Sequence, residues 1–292
     1  MHGVLVVDKL AGPTSHDIVN RVRRIAQTRK VGHLGTLDPL ATGVLPLVIG
    51  RATRLAQFFN ANTKAYDAVI EFGYSTDTYD CEGTASSEFR EPAFDKATLE
   101  EQLSAFCGTF LQSPPPVSAK KVAGMRAYQL ARQKIAVVLE PVEVNVQVEL
   151  MEFTGKLAHL TIRCSAGTYV RSIAHDLGQL LGCGAFVRSL RRTISGDFTL
   201  AQAHRLDRLQ ELAGCGQLAQ ALIPAASLLP HFPEIRIDAF TESSIRQGKD
   251  FRLSPFRPDP DARFIKAISE SGGLVAIGEA RLPHLYHPVL VL

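Results

Sequence analysis

The sequence predicts an α+β fold built around a large mixed, mostly antiparallel sheet and followed by a small β-rich domain. Helical and strand periodicities occur together in the chain, without the regular strand–helix–strand rhythm of a doubly wound fold. A proline-rich stretch, Ile223–Pro233, then precedes a region of short strand-like segments. At 292 residues the chain is long enough for two domains, which we place at residues 1–230 and 231–292.

The first half of the chain alternates between predicted strands and helices. Val4–Val7 is an apolar run typical of a buried strand, and Ser15 stands where it can cap a helix with apolar residues at helical spacing. Tyr66–Phe72 alternates as a strand does. Asp95–Phe106 has the pattern of an amphipathic helix, which Gly108 ends.

The second half begins with a predicted hairpin, in which Val142–Val148 and Leu157–Cys164 alternate on either side of a turn at Gly155. A helix with an apolar stripe follows and ends at Gly182. The C-terminal region predicts one short helix, a Gly-Gly turn and four short strands. These are Glu242–Gln247, Gly272–Gly273, Ile235–Ile237, Arg263–Ile268, Leu274–Ala280 and Pro288–Leu292.

The charge distribution is more informative than the net charge. The formal net charge is only +3 and the pI about 8.6, so composition does not identify a nucleic-acid-binding protein. Basic residues nevertheless form three clusters, which we interpret as a surface that follows phosphates. The clusters are Arg21, Arg23, Arg24, Arg29 and Lys30; Lys120, Lys121 and Arg126; and Arg188, Arg191 and Arg192.

The cysteine pattern predicts neither disulfides nor a metal site. The five cysteines are odd in number, scattered, and without the CxxC or histidine spacing of a zinc site. The sequence shows no signal peptide and no apolar run near the roughly 18 residues of a membrane span. We therefore expect a cytoplasmic, soluble protein with neither a disulfide framework nor a metal site.

The segment Gly32–Pro46, GHLGTLDPLATGVLP, is the most informative part of the chain. Its glycines and prolines predict a loop and argue against a helix or a central strand. Pro39 favours an extended backbone at Asp38. The alternative is a surface turn in which the aspartate bonds its own backbone. A single acid in an apolar segment is costly without a partner or a role, and we therefore interpret Asp38 as catalytic.

This segment resembles the catalytic motif of the TruB family of tRNA pseudouridine-55 synthases. Further matching stretches occur in the same order, so the likeness covers roughly residues 3–200. They are VLVVDKLAGPTS, KAYDAVIEFG followed by STDTYDCEG, PPVSAKKVAGMRAYQLAR and CSAGTYVRSIAHDLG.

The resemblance implies a fold and an activity. The fold would be a pseudouridine synthase catalytic domain followed by a PUA-like RNA-binding domain. The activity would be the isomerisation of uridine to pseudouridine in the T-loop of tRNA, without a cofactor, and we expect a monomer that binds the T-arm. Two rival functions stay open: a tRNA-binding or tRNA-folding factor without catalytic activity, and a glycosidase that excises the base.

The resemblance also assigns three residues to the reaction. Asp38 would act as nucleophile or base on a flipped-out uridine, by attacking the sugar, attacking the uracil or removing a sugar proton. Arg171 would hold the Asp38 carboxylate ionised, although it could instead pair with Asp176 one helical turn away. Tyr66 would stack on the uracil.

Five further residues match recurrent family positions around the substrate. Tyr169 would support the pocket, and His33 would fill the space that flipped bases leave. Lys9 would touch phosphate or support the site, and Leu190 would line it. Asp77 also matches, and it is the candidate second acid that a glycosidase would need to activate water.

Overall fold

The computed structural model of the chain describes residues 1–59, 63–118, 139–252 and 262–292, together with the backbone of residues 121–122 and 125–126. The first group of strands comprises β1 Gly3–Lys9, β2 Val31–His33, β3 Thr42–Ile49, β4 Lys64–Phe72, β5 Gly108–Gln112, β6 Lys121–Val122, β7 Met125–Arg126, β8 Val142–Phe153, β9 Leu157–Cys164, β10 Ala185–Ser195, β11 Phe198–Thr199 and β12 Leu222–Pro224. The second comprises β13 Glu234–Ile237, β14 Phe251–Arg252, β15 Phe264–Ser269, β16 Leu274–Leu282 and β17 Leu285–Val291. The helices are α1 Ser15–Ile25, α2 Lys96–Ser104, α3 Val170–Leu180, α4 Leu206–Gly214 and α5 Ala239–Arg246, with a 3-10 helix at Gly50–Phe59.

The predicted α+β architecture is confirmed. Within the described residues, ten strands form one sheet in the order β12-β1-β3-β10-β4-β9-β8-β5, with β2 added beside β3 and β11 beside β10. Its pairs are antiparallel except β3 with β10. The predicted β8–β9 hairpin is present and longer than expected. None of the described helices has both the length and the apolar character needed to cross a bilayer.

Strand β3 corrects the prediction that the Gly32–Pro46 segment excludes a central strand. Thr42–Ile49 lies between β1 and β10 in the middle of the sheet, with Pro46 opposite Val6. The Pro46 carbonyl accepts from the Leu34 amide at 3.0 Å. Since the N–H and C=O of one strand residue point to the same side, the missing N–H faces away from β1. Pro46 is tolerated because no ladder bond to β1 is lost.

The N-cap of helix α1 lies one residue earlier than predicted. Thr14, not Ser15, is the N-cap, and Thr14 and Asp17 form a reciprocal capping box. Ser15 is buried, and its hydroxyl bonds both the carbonyl and the amide of Leu37, at 2.9 and 2.8 Å. This contact attaches the start of the helix to the loop that carries Asp38.

The C-terminal region forms a separate five-stranded sheet, ordered β13-β15-β16-β17-β14 among the described residues. One face packs on the outer side of the large sheet in a shared apolar core. That core contains Ile277 and Leu290 of the small sheet together with Val4, Val6 and Val44 of β1 and β3. The small sheet therefore covers the back of the strand that follows the Asp38 loop.

Candidate active site

Six of the eight residues predicted for the site line one cavity of about 330 Å3. They are Asp38, Arg171, Tyr66, His33, Tyr169 and Leu190. The cavity lies where the Asp38 loop, β4, β10 and the start of α3 meet. Lys9 and Asp77 do not line it. The fold thus brings predicted residues from distant parts of the chain into one cavity, and Asp38 and Arg171, which bond each other there, are 133 positions apart.

The Asp38 carboxylate is held by Arg171, as predicted. Arg171 Nε lies 2.9 Å from Asp38 Oδ2, and the arginine side chain is only 4% exposed, whereas that of Asp38 is 33% exposed. The carboxylate is thus fixed on one side and open to the cavity on the other. The alternative partner of Arg171, Asp176, is not used.

The Arg171 guanidinium is itself fixed by three further groups. Nη1 donates to the Thr78 carbonyl at 2.9 Å, and Nη2 donates to the Val117 carbonyl at 3.0 Å. Nη1 also lies 3.5 Å from the Asp80 carboxylate. A planar guanidinium can satisfy these groups together, whereas a lysine ammonium cannot.

Asp80 is a buried contact of Arg171 that sequence reasoning missed. Its side chain is 6% exposed and accepts from the Thr78 hydroxyl at 2.6 Å. It does not line the cavity, so it is poorly placed to activate water there. The available signal was the TDTYDCEG stretch, from which we selected Asp77 instead.

Asp77 has contacts that belong to a turn. Its carboxylate accepts from the Thr84 amide and the Thr84 hydroxyl, both at 2.9 Å. These bonds close the loop that delivers the Thr78 carbonyl and Asp80 to Arg171. The structure places Asp77 outside the cavity, in a position to shape this loop.

Lys9 supports the Asp38 loop from within the protein. Its side chain is buried, and Nζ donates to the carbonyls of Leu10, Pro39 and Ala41 at 3.0, 2.9 and 2.7 Å. Burial lowers the pKa of this ammonium to about 8, an effect that the Asp38 charge partly opposes. Of the two predicted roles, the geometry favours support of the site over contact with phosphate.

The two predicted tyrosines differ in their surroundings. Tyr66 is buried on β4, and burial raises the pKa of its hydroxyl. Tyr169 precedes α3, and its backbone amide and carbonyl are both bonded by the Gln112 side chain, at 2.8 and 3.0 Å. Burial also raises the Tyr169 pKa, with a smaller effect from the Asp38 charge. Both phenols are therefore neutral at neutral pH.

One of the three basic clusters predicted from sequence needs correction. Arg192 is completely buried, and Arg191 and Arg188 form ion pairs with Asp8 and Glu71, so this group is not an open phosphate-binding surface. The side chains of the second cluster, Lys120, Lys121 and Arg126, lie outside the described residues. In the first cluster, Arg21, Arg24, Arg29 and Lys30 are exposed.

Comparison with known proteins gives a family. A model described as TruB family pseudouridylate synthase (N terminal domain) matches residues 23–170, and one described as tRNA pseudouridylate synthase B C-terminal domain matches residues 171–229. A protein of Solibacter usitatus (strain Ellin6076) named tRNA pseudouridine synthase B is 55% identical over 293 aligned residues, with 100% of both chains covered. Another protein of that name, from Dehalococcoides mccartyi (strain CBDB1), is 37% identical, and the alignment covers 100% of this chain and 96% of the relative.

A solved structure supports the fold. A chain from an H/ACA RNP bound to a substrate RNA containing 2′-deoxyuridine matches with a TM-score of 0.72 at 23% identity, covering 99% of this chain and 84% of that one. The likeness expected over roughly residues 3–200 is confirmed, and the aligned relative extends it to the whole chain. This chain belongs to the TruB family of pseudouridylate synthases.

Proposed function

We propose that this enzyme isomerises uridine to pseudouridine at position 55, in the T-loop of tRNA, with Asp38 acting on a flipped-out nucleotide. The observation that carries the proposal is the Asp38–Arg171 pair, buried on the arginine side and open to the cavity on the carboxylate side. Relatives named tRNA pseudouridine synthase B support tRNA as the substrate.

The isomerisation uses a carboxylate beside the sugar and consumes no water. The bond between ribose C1′ and uracil N1 breaks, the base turns, and a bond forms between C1′ and C5. The proton on C5 is released and N1 gains one, so the product is an isomer of the substrate. The Asp38 carboxylate would assist by attack on the sugar, attack on the uracil or removal of a sugar proton.

The cavity favours isomerisation over excision of the base. Hydrolysis of a glycosidic bond ordinarily uses two carboxylates, one of which activates a water molecule. Among the described residues that line the cavity, Asp38 is the one carboxylate. Asp80 lies behind the Arg171 guanidinium and is nearly inaccessible. The freed uracil would therefore rejoin the sugar before a water molecule could attack C1′.

Tyr66 supplies the surface on which the flipped base would rest. Taking a base out of a folded T-arm costs a few kcal/mol, and stacking on an aromatic ring returns about 1–3 kcal/mol. Tyr66 lines the cavity together with Asp38, so a base stacked there would place C1′ near the carboxylate. Tyr169 would support the pocket, Leu190 would line it, and His33 would fill the space that flipped bases leave.

The remaining proposals concern the setting of the reaction. The enzyme would act as a monomer in the cytoplasm, without a cofactor. Residues 231–292 would form a PUA-like domain that adds contacts to tRNA. The shared core with β1 and β3 means that deleting this domain would expose apolar surface. Charge reversal at the exposed Lys249 is the cleaner test, because a binding role predicts weaker tRNA affinity with unchanged turnover at saturation.

The test of the proposed function uses an unmodified tRNA transcript with tritium at uracil C5. Isomerisation releases tritium to water and creates one carbodiimide-dependent primer-extension stop in the T-loop. Free uracil with an abasic tRNA would instead identify a glycosidase. Binding without tritium release would identify a tRNA-folding factor, and either result would refute the proposal.

A further inference from the structure

Arg192 on β10 is the largest side chain that is completely buried among the described residues. Across the described ranges it forms no ion pair, whereas Arg188 and Arg191 of the same strand pair with Glu71 and Asp8. Burial of a cation without a carboxylate is costly and requires compensating hydrogen bonds. The compensation that Arg192 receives indicates its role.

All three nitrogen positions of the Arg192 guanidinium bond carbonyls that flank Asp38, two in the loop before it and one in β3 after it. Nε donates to the Val44 carbonyl at 2.8 Å, Nη1 to the Thr36 carbonyl at 3.1 Å and Nη2 to the Gly35 carbonyl at 3.2 Å. Gly35 and Thr36 precede Asp38, and Val44 follows it. One side chain therefore ties together the two arms of the loop.

The backbone at Arg192 holds the same loop. Gly43 pairs with Arg192 across the parallel β3–β10 contact. A Cβ at Gly43 would lie 2.2 Å from the Arg192 carbonyl oxygen, and the residue has a φ of +97°. Only glycine allows β3 to approach this closely. The arm that follows Asp38 is thus fixed to β10 by both backbone and side chain.

The guanidinium lies directly behind the cavity wall. Gly35 and Tyr66 line the cavity, and a Cβ at Gly35 would lie 3.7 Å from Arg192 Nη1. Arg192 also faces the Tyr66 hydroxyl, where its charge opposes the effect of burial on the pKa of that phenol. Arg192 is not itself among the residues that line the cavity.

We propose that Arg192 is a positioning residue of the reaction: it sets the place of the Asp38 carboxylate relative to Tyr66 and does not touch RNA. This inference rests on the proposed function, in which Asp38 acts on the nucleotide. Lys9 complements it by holding the Pro39 and Ala41 carbonyls immediately after Asp38. Two buried cations therefore share one loop, each bonded to different carbonyls.

The test compares Arg192→Met and Arg192→Lys with the control Arg191→Met. Arg191 lies next to Arg192 on β10 but pairs with Asp8 and is 39% exposed. We expect Arg192→Met to lower the single-turnover rate at saturating tRNA at least about 100-fold with a Kd within threefold. Arg192→Lys keeps the charge but not the fork that spans three carbonyls, and it should lose at least about tenfold. Arg191→Met should stay within threefold of wild type.

Chemical rescue separates positioning from a general structural defect. Arg192→Ala leaves a space that adjoins the cavity through Gly35 and Tyr66, so added methylguanidinium should restore part of the rate, whereas methylammonium should not. An unchanged rate in Arg192→Met and Arg192→Lys, a weakened Kd at normal rate, or a rate loss that methylguanidinium does not relieve would each overturn the inference. Absence of tritium release by the wild type would instead contradict the proposed function.

Discussion

Replacing Arg171 with lysine tests whether the shape of the guanidinium, and not only its charge, holds Asp38. The arginine reaches the Asp38 carboxylate at 2.9 Å and two carbonyls at 2.9 and 3.0 Å, from a side chain that is 4% exposed. A shorter lysine with one nitrogen loses at least two of these three contacts. Hydrogen bonds to a charged group contribute about 1.5–3 kcal/mol each, so about 3–6 kcal/mol is removed.

The consequence for turnover follows from that range. Each 1.36 kcal/mol of transition-state stabilisation corresponds to a factor of ten in rate. If the lost contacts act through the placement of Asp38, the Arg171→Lys rate should fall by about two to four orders of magnitude. Affinity for tRNA should change by no more than a few-fold, because only 4% of the Arg171 side chain is exposed and little of it can contact RNA.

Single-turnover tritium release at saturating tRNA measures this effect. Arg188→Lys is the matched control, since Arg188 pairs with Glu71 and its side chain is 56% exposed. Pairs at such positions contribute about 0–1 kcal/mol, and this variant should lose less than about fivefold. An Arg171→Lys enzyme within tenfold of wild type would refute the reasoning from guanidinium geometry.

Three further outcomes follow from the structure. The pKa of Lys9 is about 8 in the folded protein against an ordinary value of 10.5, so the folded state binds this proton less tightly than the unfolded chain. The contribution of Lys9 to the free energy of unfolding should therefore rise between pH 8 and 10. Urea titrations at pH 7.5 and 9.5 should show this rise in wild type and not in Lys9→Met; equal rises would contradict it. Tyr66→Leu removes the stacking surface and should weaken transition-state stabilisation, measured as the ratio of kcat/KM values, by about 1–3 kcal/mol. Tyr66→Phe keeps the ring and should retain kcat/KM; equal losses in the two variants would exclude stacking as the main role. Ile277→Ala should destabilise the protein by about 2–5 kcal/mol because Ile277 is buried in the core shared by both sheets, while Phe240→Ala, at an 81% exposed position, should change the melting curve little; the reverse order would contradict the shared core.

Periodicity predicted most elements correctly because apolar spacing reports burial directly. The alternation of Tyr66–Phe72 and the hairpin of β8 and β9 are examples. Strand β3 was missed because Pro46 is an unfavourable residue for a central strand, and its tolerance depends on which neighbour takes each backbone bond. The residue pattern alone does not indicate which neighbouring strand bonds each backbone group of β3.

Site residues that stand at matched motif positions could be predicted from the sequence. The selection between neighbouring candidates of the same type could not, because it depends on the folded backbone. The Asp38–Arg171 pair is present as predicted. The choice between Asp77 and Asp80 depends on a turn in which Tyr79 has a φ of +65°, and no spacing rule foresees it. Arg192 was grouped with surface arginines because composition does not distinguish a buried guanidinium from an exposed one.

The most direct test of the central claim is tritium release by Asp38→Asn on a full-length tRNA transcript. Asparagine keeps the volume of the side chain and replaces the carboxylate with a neutral amide. We expect release to be abolished while the Kd for tRNA stays within a few-fold of wild type, and no carbodiimide-dependent stop should form in the T-loop. Substantial residual turnover in Asp38→Asn would contradict the assignment of this carboxylate to the reaction.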